Sequence, residues 1–135
     1  MGIPLSDAVQ ARLNTEKVAW LTTVRPDGLP QPTPIWFLWD GVGLVIYSKP
    51  EARKLRNIAA HPRISFHLNS DAWGGEIVVL WGTATVDLHG PLATANPAYI
   101  EKYRQGIADI GMTPESMAAE YSAMIRITPE RAREE

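Results

Sequence analysis

The chain has 135 residues, of which 45% are hydrophobic and 21% charged, with a formal net charge of −2 and no cysteine. At this length a single compact domain over 1–135 is expected, and interspersed charge of nearly zero sum argues against a nucleic-acid binder with a broad basic face. The missing thiols exclude disulfides, thiolate metal sites and cysteine nucleophiles. No basic n-region precedes an apolar stretch and no apolar run approaches about 18 residues, so a soluble, cytoplasmic protein without membrane association is expected. Five Trp against two Phe is an unusual balance. Tryptophan usually keeps one edge accessible, so some of the five are candidates for a pocket or a subunit interface and the rest for ordinary core.

Leu5, Val9 and Leu13 recur at helical spacing behind Ser6 and Asp7, which predicts a short helix over 5–14. Residues 18–24, rich in β-branched and aromatic side chains, read as a strand, and Arg25-Pro26-Asp27-Gly28 as a hairpin turn. Pro30, Pro32 and Pro34 then alternate with Gln31, Thr33 and Ile35. Residues two apart in a strand aim their backbone groups at the same neighbour, so these prolines remove every N–H along one edge. The segment is therefore expected to be extended and paired on one side only, either as a berth for a planar ligand or as a strand edge protected by proline. Asp40-Gly41 marks a second turn, and 44–47 a third strand.

Ser48 and Glu51 have capping-box spacing with Pro50 between them, which predicts a helix over 50–60 with Leu55, Ile58 and Ala59 inward and His61-Pro62 as its stop. Strands follow at 63–68 and 76–88, the second interrupted by Gly82 as a bulge, with a loop carrying Trp73 between them. Asn96-Pro97 opens a helix over 97–110 whose inward face is Tyr99, Ile100, Tyr103, Ile107 and Ile110. Thr113-Pro114-Glu115 starts a short helix reaching Tyr121. A last strand over 122–127 is expected to stop at Thr128-Pro129, with 130–135 fraying. Five or six strands at hairpin spacing with peripheral helices imply a mainly β, α+β fold, a small antiparallel barrel with helical additions.

Few constellations carry chemistry. His61, His67 and His89 have no paired ligand spacing, so no metal site is expected. There is no Gly-x-Ser-x-Gly elbow, and Gly41-Val42-Gly43 belongs to a hairpin rather than a dinucleotide fingerprint. What remains is Arg53-Lys54-Leu55-Arg56-Asn57, which presents cations and a neutral amide in the first half of a helix, where the macrodipole and free N–H groups favour an anion. Cations there are locally unfavourable for the helix, which points to a phosphate grip; a solvated basic face is the other reading.

The ordered series Leu21-Thr22-Thr23-Val24, Asp27-Gly28-x-Pro30-Gln31-Pro32, Trp36, Tyr47-Ser48, Lys54-x-x-Asn57 and His61-Pro62-Arg63 resembles the pyridoxamine-phosphate-oxidase-like split-barrel flavoproteins. Its small size and Arg-Lys-Leu-Arg-Asn helix are most similar to the branch that uses the deazaflavin coenzyme F420. The resemblance implies a six-stranded antiparallel split barrel with peripheral helices, and an oxidoreductase that passes hydride from reduced F420 to a small electron-poor acceptor, with FMN as the alternative cofactor and a cofactor-sequestering protein as a further alternative. It implies that Lys54 and Asn57 hold the cofactor phosphate, with Tyr47 and Ser48 contacting the same region, and the helix reading adds Arg53 to that grip. Trp20, Leu21, Thr22, Thr23, Gln31, Thr33 and Ile35 would line the ring and ribityl chain. It also implies a homodimer with cofactor sites at the interface. No residue is assigned as catalytic, and the substrate-phosphate residues of the vitamin B6 enzymes have no match near the C-terminus.

Overall fold

The computed structural model describes residues 3–135. Its frame is one antiparallel sheet of seven strands: β1 (Ala19–Val24), β2 (Pro30–Ile35), β3 (Leu38–Trp39), β4 (Leu44–Ser48), β5 (Arg63–His67), β6 (Val78–Asp87) and β7 (Ala123–Glu134), in the order β2-β1-β5-β6-β7-β4-β3. The six expected strands become seven because Leu38 and Trp39 form their own short pairing with Val45 and Leu44. The sheet curls around Leu21, Phe37, Leu44, Ile46, Phe66, Leu80, Ile125 and Ile127, all buried. Helix α1 (Asp7–Thr15) adds Val9 and Leu13 to this core, and α2 (Arg53–Ala60) adds Leu55 and Ile58. Ser6 caps α1 as expected, accepting the Val9 N–H at 3.1 Å.

β4 is buried along its whole length, the signature of a strand covered on both faces. Leu44 and Ile46 enter the barrel, while Val45 and Tyr47 pack under α3 (Pro97–Asp109) and α4 (Pro114–Glu120) in a second core with Tyr99, Tyr103, Ile107 and Met117. Asn96 caps α3, and Thr113 and Ser116 exchange hydrogen bonds as the capping box of α4. Ile110, expected on the inward face of α3, is instead 54% exposed beyond the helix end. The helix is tied down by Tyr103, whose hydroxyl accepts the Phe37 N–H at 2.8 Å and donates to the Lys17 carbonyl at 2.7 Å. Beside it, Lys102 Nζ donates to the carbonyls of Phe37 at 2.8 Å and Leu13 at 3.2 Å, and lies 3.7 Å from the centre of the Phe37 ring. Burial, then the nearby charge of Lys17, pushes the Lys102 ammonium down to about 8, against a smaller upward pull from Glu16.

Two expectations fail here. The capping box at Ser48 does not form: Ser48 is the last paired residue of β4, opposite Ala123, and its hydroxyl donates to the Lys49 carbonyl. Lys49 to Ala52 make a turn, with the Ala52 N–H on the Lys49 carbonyl at 3.1 Å, so α2 begins at Arg53 with Ala52 as a cap that has no side-chain acceptor. The C-terminal residues do not fray either. β7 continues past Pro129 to Glu134 because Val78 to Trp81 would otherwise lack a partner on that side. Trp81 faces Arg131 and Gly82 faces Pro129, so the extra residue of the expected bulge is Glu130 on β7, and the proline falls where the ladder is already interrupted. Gly82 is required there: a Cβ would collide with the Thr128 carbonyl.

Candidate functional site

β2 is an edge strand that pairs with β1 alone, in the register Thr23↔Gln31, Leu21↔Thr33 and Ala19↔Ile35. Its prolines turn outward and are exposed, whereas Gln31 and Thr33 are half-buried and Ile35 buried on the inner side. α2 packs over this end of β1. Between them lies a cavity of about 310 Å³, the polar cavity, lined by Thr23, Gln31, Thr33, Arg53, Lys54 and Asn57 together with Pro32 and Ala52. The N–H groups of Arg53 and Lys54, at the uncapped start of α2, take no carbonyl. Asn57 is 2% exposed, and its amide nitrogen donates to Thr23 Oγ1 at 2.9 Å and to Gln31 Oε1 at 2.8 Å.

A second cavity of about 290 Å³ adjoins the first, and Lys54 lines both. Its walls are mainly apolar and aromatic: Pro34 and Ile35 at the end of β2, Trp36 after it, Tyr47 and Ser48 at the end of β4, Tyr99 on α3 with Ile110 just beyond it, and Met117 and Tyr121 from the α4 side. Trp36 stacks on Tyr103 with ring centres 4.5 Å apart and planes 3° from parallel, and Tyr47 meets Tyr99 edge to face at 4.7 Å. Gly106 makes the Trp36 position available, since a Cβ there would lie 3.3 Å from the indole. The Tyr47 hydroxyl accepts from Asn96 Nδ2 at 3.2 Å, which leaves its own hydrogen free. Lys54 is half-buried with no carboxylate partner among the described residues, and desolvation holds its ammonium below the ordinary lysine range.

The twelve residues expected around a cofactor are thus divided by the structure. Thr23, Gln31, Thr33, Arg53, Lys54 and Asn57 meet in the polar cavity, and Ile35, Tyr47, Ser48 and Lys54 in the aromatic one. Leu21 is fully buried in the barrel core. Trp20 and Thr22, alternating with it, turn to the opposite face of β1, where Trp20 stacks on His67 with ring centres 6.4 Å apart. Trp73 is 95% exposed and enters neither cavity. Its loop is tied by hydrogen bonds: Arg12 donates to the carbonyls of Asn69 and Glu76, and Asp71 accepts the N–H groups of Trp73 and Gly75. Tyr99, Met117 and Tyr121 were not singled out for the site by the sequence, where they read as helix core or helix end. No histidine lines either cavity, and no cluster of three metal-ligating side chains occurs among the described residues.

Over residues 5–135 the sequence matches the pyridoxamine 5'-phosphate oxidase family, and the chain belongs to it. No curated protein matches the chain. Among solved structures it is similar to an F420 reductase, at 24% identity over 98% of this chain and 100% of that one, with a TM-score of 0.73. It is also similar to the conserved hypothetical protein Rv2991 of Mycobacterium tuberculosis, at 24% identity over 97% of this chain and 84% of that one (TM-score 0.72). The heme storage protein HutZ of Vibrio cholerae shares 16% identity over 98% of this chain and 95% of that one (TM-score 0.68). At these identities the likeness establishes the fold, and the ligand has to be argued from the cavities. No helix among the described residues is long and apolar enough to cross a membrane.

Proposed function

We propose that the protein is an F420-dependent oxidoreductase that reduces a small electron-poor organic molecule. The observation that carries this reading is the half-buried Lys54 ammonium, without a carboxylate partner, at the junction of a polar and an aromatic cavity. An unpaired, partly desolvated cation is costly unless an anion arrives to meet it. Each cavity alone is at the lower limit for a ligand pocket, about 300 Å³, and the two joined suit a ligand with an anionic stem and a flat apolar head. Phosphate at the start of α2 would take the Lys54 ammonium, the Arg53 guanidinium and the free N–H groups of the first turn. Arg56, one turn beyond Arg53, also lacks an acidic partner among the described residues, and this run of cations suits the acidic tail of F420 better than the single phosphate of FMN.

A bound deazaflavin or flavin supplies hydride-transfer chemistry that no side chain here offers. The chain would contribute position and dryness: Trp36 and Tyr99 would wall the head group, Ile35 and Met117 would exclude water, and Lys54 would hold the stem. Tyr47 lines the cavity, and its hydroxyl, held by Asn96, would be a side-chain proton source for the acceptor molecule. We also propose a homodimer. The face of β1, β5 and β6 turned away from the barrel core carries Trp20, Val79 and the 38% exposed Trp81 among Thr22, Ser65, His67 and Thr83, a mixed surface with aromatic anchors suited to a second copy.

Fluorescence titration with F420 and with FMN, followed by reduced F420 with a panel of quinones and enones, tests the activity. Tight F420 binding with acceptor-dependent oxidation is expected. FMN-only binding would transfer the reading to an FMN enzyme, binding without oxidation would make the protein a cofactor store, and binding of neither would overturn it. Sedimentation of the protein and of Trp81→Glu tests the dimer, which the variant should weaken.

A further inference from the structure

We infer that Asn57 is a positioning residue rather than an anion ligand, and that it sets the hydrogen-bond polarity of the polar cavity so that Thr23 and Gln31 both present donors to a phosphate. This rests on the reading of that cavity as a phosphate site. The primary amide of asparagine has two hydrogens. In Asn57 one goes to Thr23 Oγ1 at 2.9 Å and the other to Gln31 Oε1 at 2.8 Å, and the residue is 2% exposed. Neither hydrogen is left for a ligand.

The consequence falls on the partners. A hydroxyl that accepts from Asn57 keeps its one hydrogen for something else. A glutamine whose oxygen is taken must turn its Nε2, with two hydrogens, the other way. Both residues line the cavity that Arg53 and Lys54 also line, and no carboxylate does. The wall therefore presents neutral donors beside two cations and suits phosphate oxygens, which accept only. Arg53 and Lys54 supply charge; Asn57 decides which ends of its neighbours face the anion. Buried in α2 and bonded to both β1 and β2, it also fixes these donors against the helix that carries the cations.

The test is a titration of the intact, ¹⁵N-labelled protein with inorganic phosphate, read at the side-chain amide resonances. The Gln31 Nε2 pair should move with added phosphate and the Asn57 Nδ2 pair should stay in place. Gln31→Met should weaken phosphate binding about tenfold and Asn57→Leu by more, since it also releases Thr23, and the double variant should bind little worse than Asn57→Leu alone, because Gln31 acts through Asn57. Movement of the Asn57 pair, with Gln31→Met binding phosphate as the parent does, would overturn the inference. So would the absence of any phosphate-dependent shift. If Asn57→Leu does not fold, the amide resonances of the parent and the affinity of Gln31→Met decide. Phosphate binding by a protein that takes neither FMN nor F420 would sink the cofactor reading and leave this inference standing.

Discussion

Replacing Lys54 by methionine should move affinity and stability in opposite directions. The side chain is half-buried, lines both cavities and has no carboxylate partner among the described residues. A charge-assisted hydrogen bond to phosphate contributes about 1.5–3 kcal/mol, so its loss should raise the dissociation constant of F420 or FMN about 10- to 150-fold. In the cofactor-free protein the same substitution removes a desolvated cation and keeps its apolar stem. The folded-state pKa of Lys54 lies below the unfolded value, so its charge opposes folding at neutral pH, and Lys54→Met should melt higher than the parent. Fluorescence titration and thermal melts of the same two samples provide the assay. An unchanged dissociation constant would refute the phosphate assignment. A lower melting temperature would show that the ammonium already has a stabilising partner.

Lys102 gives a pH prediction. Its folded-state value is about 8 and the ordinary lysine value about 10.4, so between them the unfolded chain binds more protons and stability should rise with pH. Above about 10 the raised pKa values of buried Tyr99 and Tyr103 act the other way, because the unfolded chain ionises its tyrosines first. Urea midpoints should therefore climb from pH 7.5 toward 9.5 and then fall, with the climb reduced in Lys102→Met. Gly82→Ala should cost about 1–3 kcal/mol, read as a lower urea midpoint, since the methyl group meets the backbone at Thr128 and Pro129. Tyr103→Phe should cost a similar 1–3 kcal/mol, because it leaves the buried Phe37 N–H without its acceptor.

Much of the architecture was legible because it is locally encoded. Ser6, Asn96 and Thr113 mark three helix starts by their own side-chain bonds, and Asp27-Gly28 and Asp40-Gly41 place turns where positive φ is needed at Gly28 and Gly41. The failures have a common cause. Ser48 and Glu51 have the spacing of a capping box, but the pairing of Ser48 with Ala123, far away in sequence, had already claimed it for β4. Glu130 to Glu134 look like a polar tail until Val78 to Trp81 are known to lie alongside. The basic end of the site was visible as a run of residues on one helix. Its aromatic half is assembled from β4, α3 and the α4 side, and the partners of Asn57 come from β1 and β2, so neither pattern exists along the chain.

The alternation in β2 separates two kinds of constraint within six residues. The prolines at 30, 32 and 34 govern the open margin of the sheet, where they deny a neighbouring chain the N–H groups it would need to attach. Positions 31, 33 and 35 face inward and govern what the cavities accept. Variation at the odd positions can retune ligand preference without making the margin adhesive, and loss of Pro30, which lines neither cavity, can promote polymerisation without touching the site. The strand is thus a place where specificity can drift at little risk to solubility.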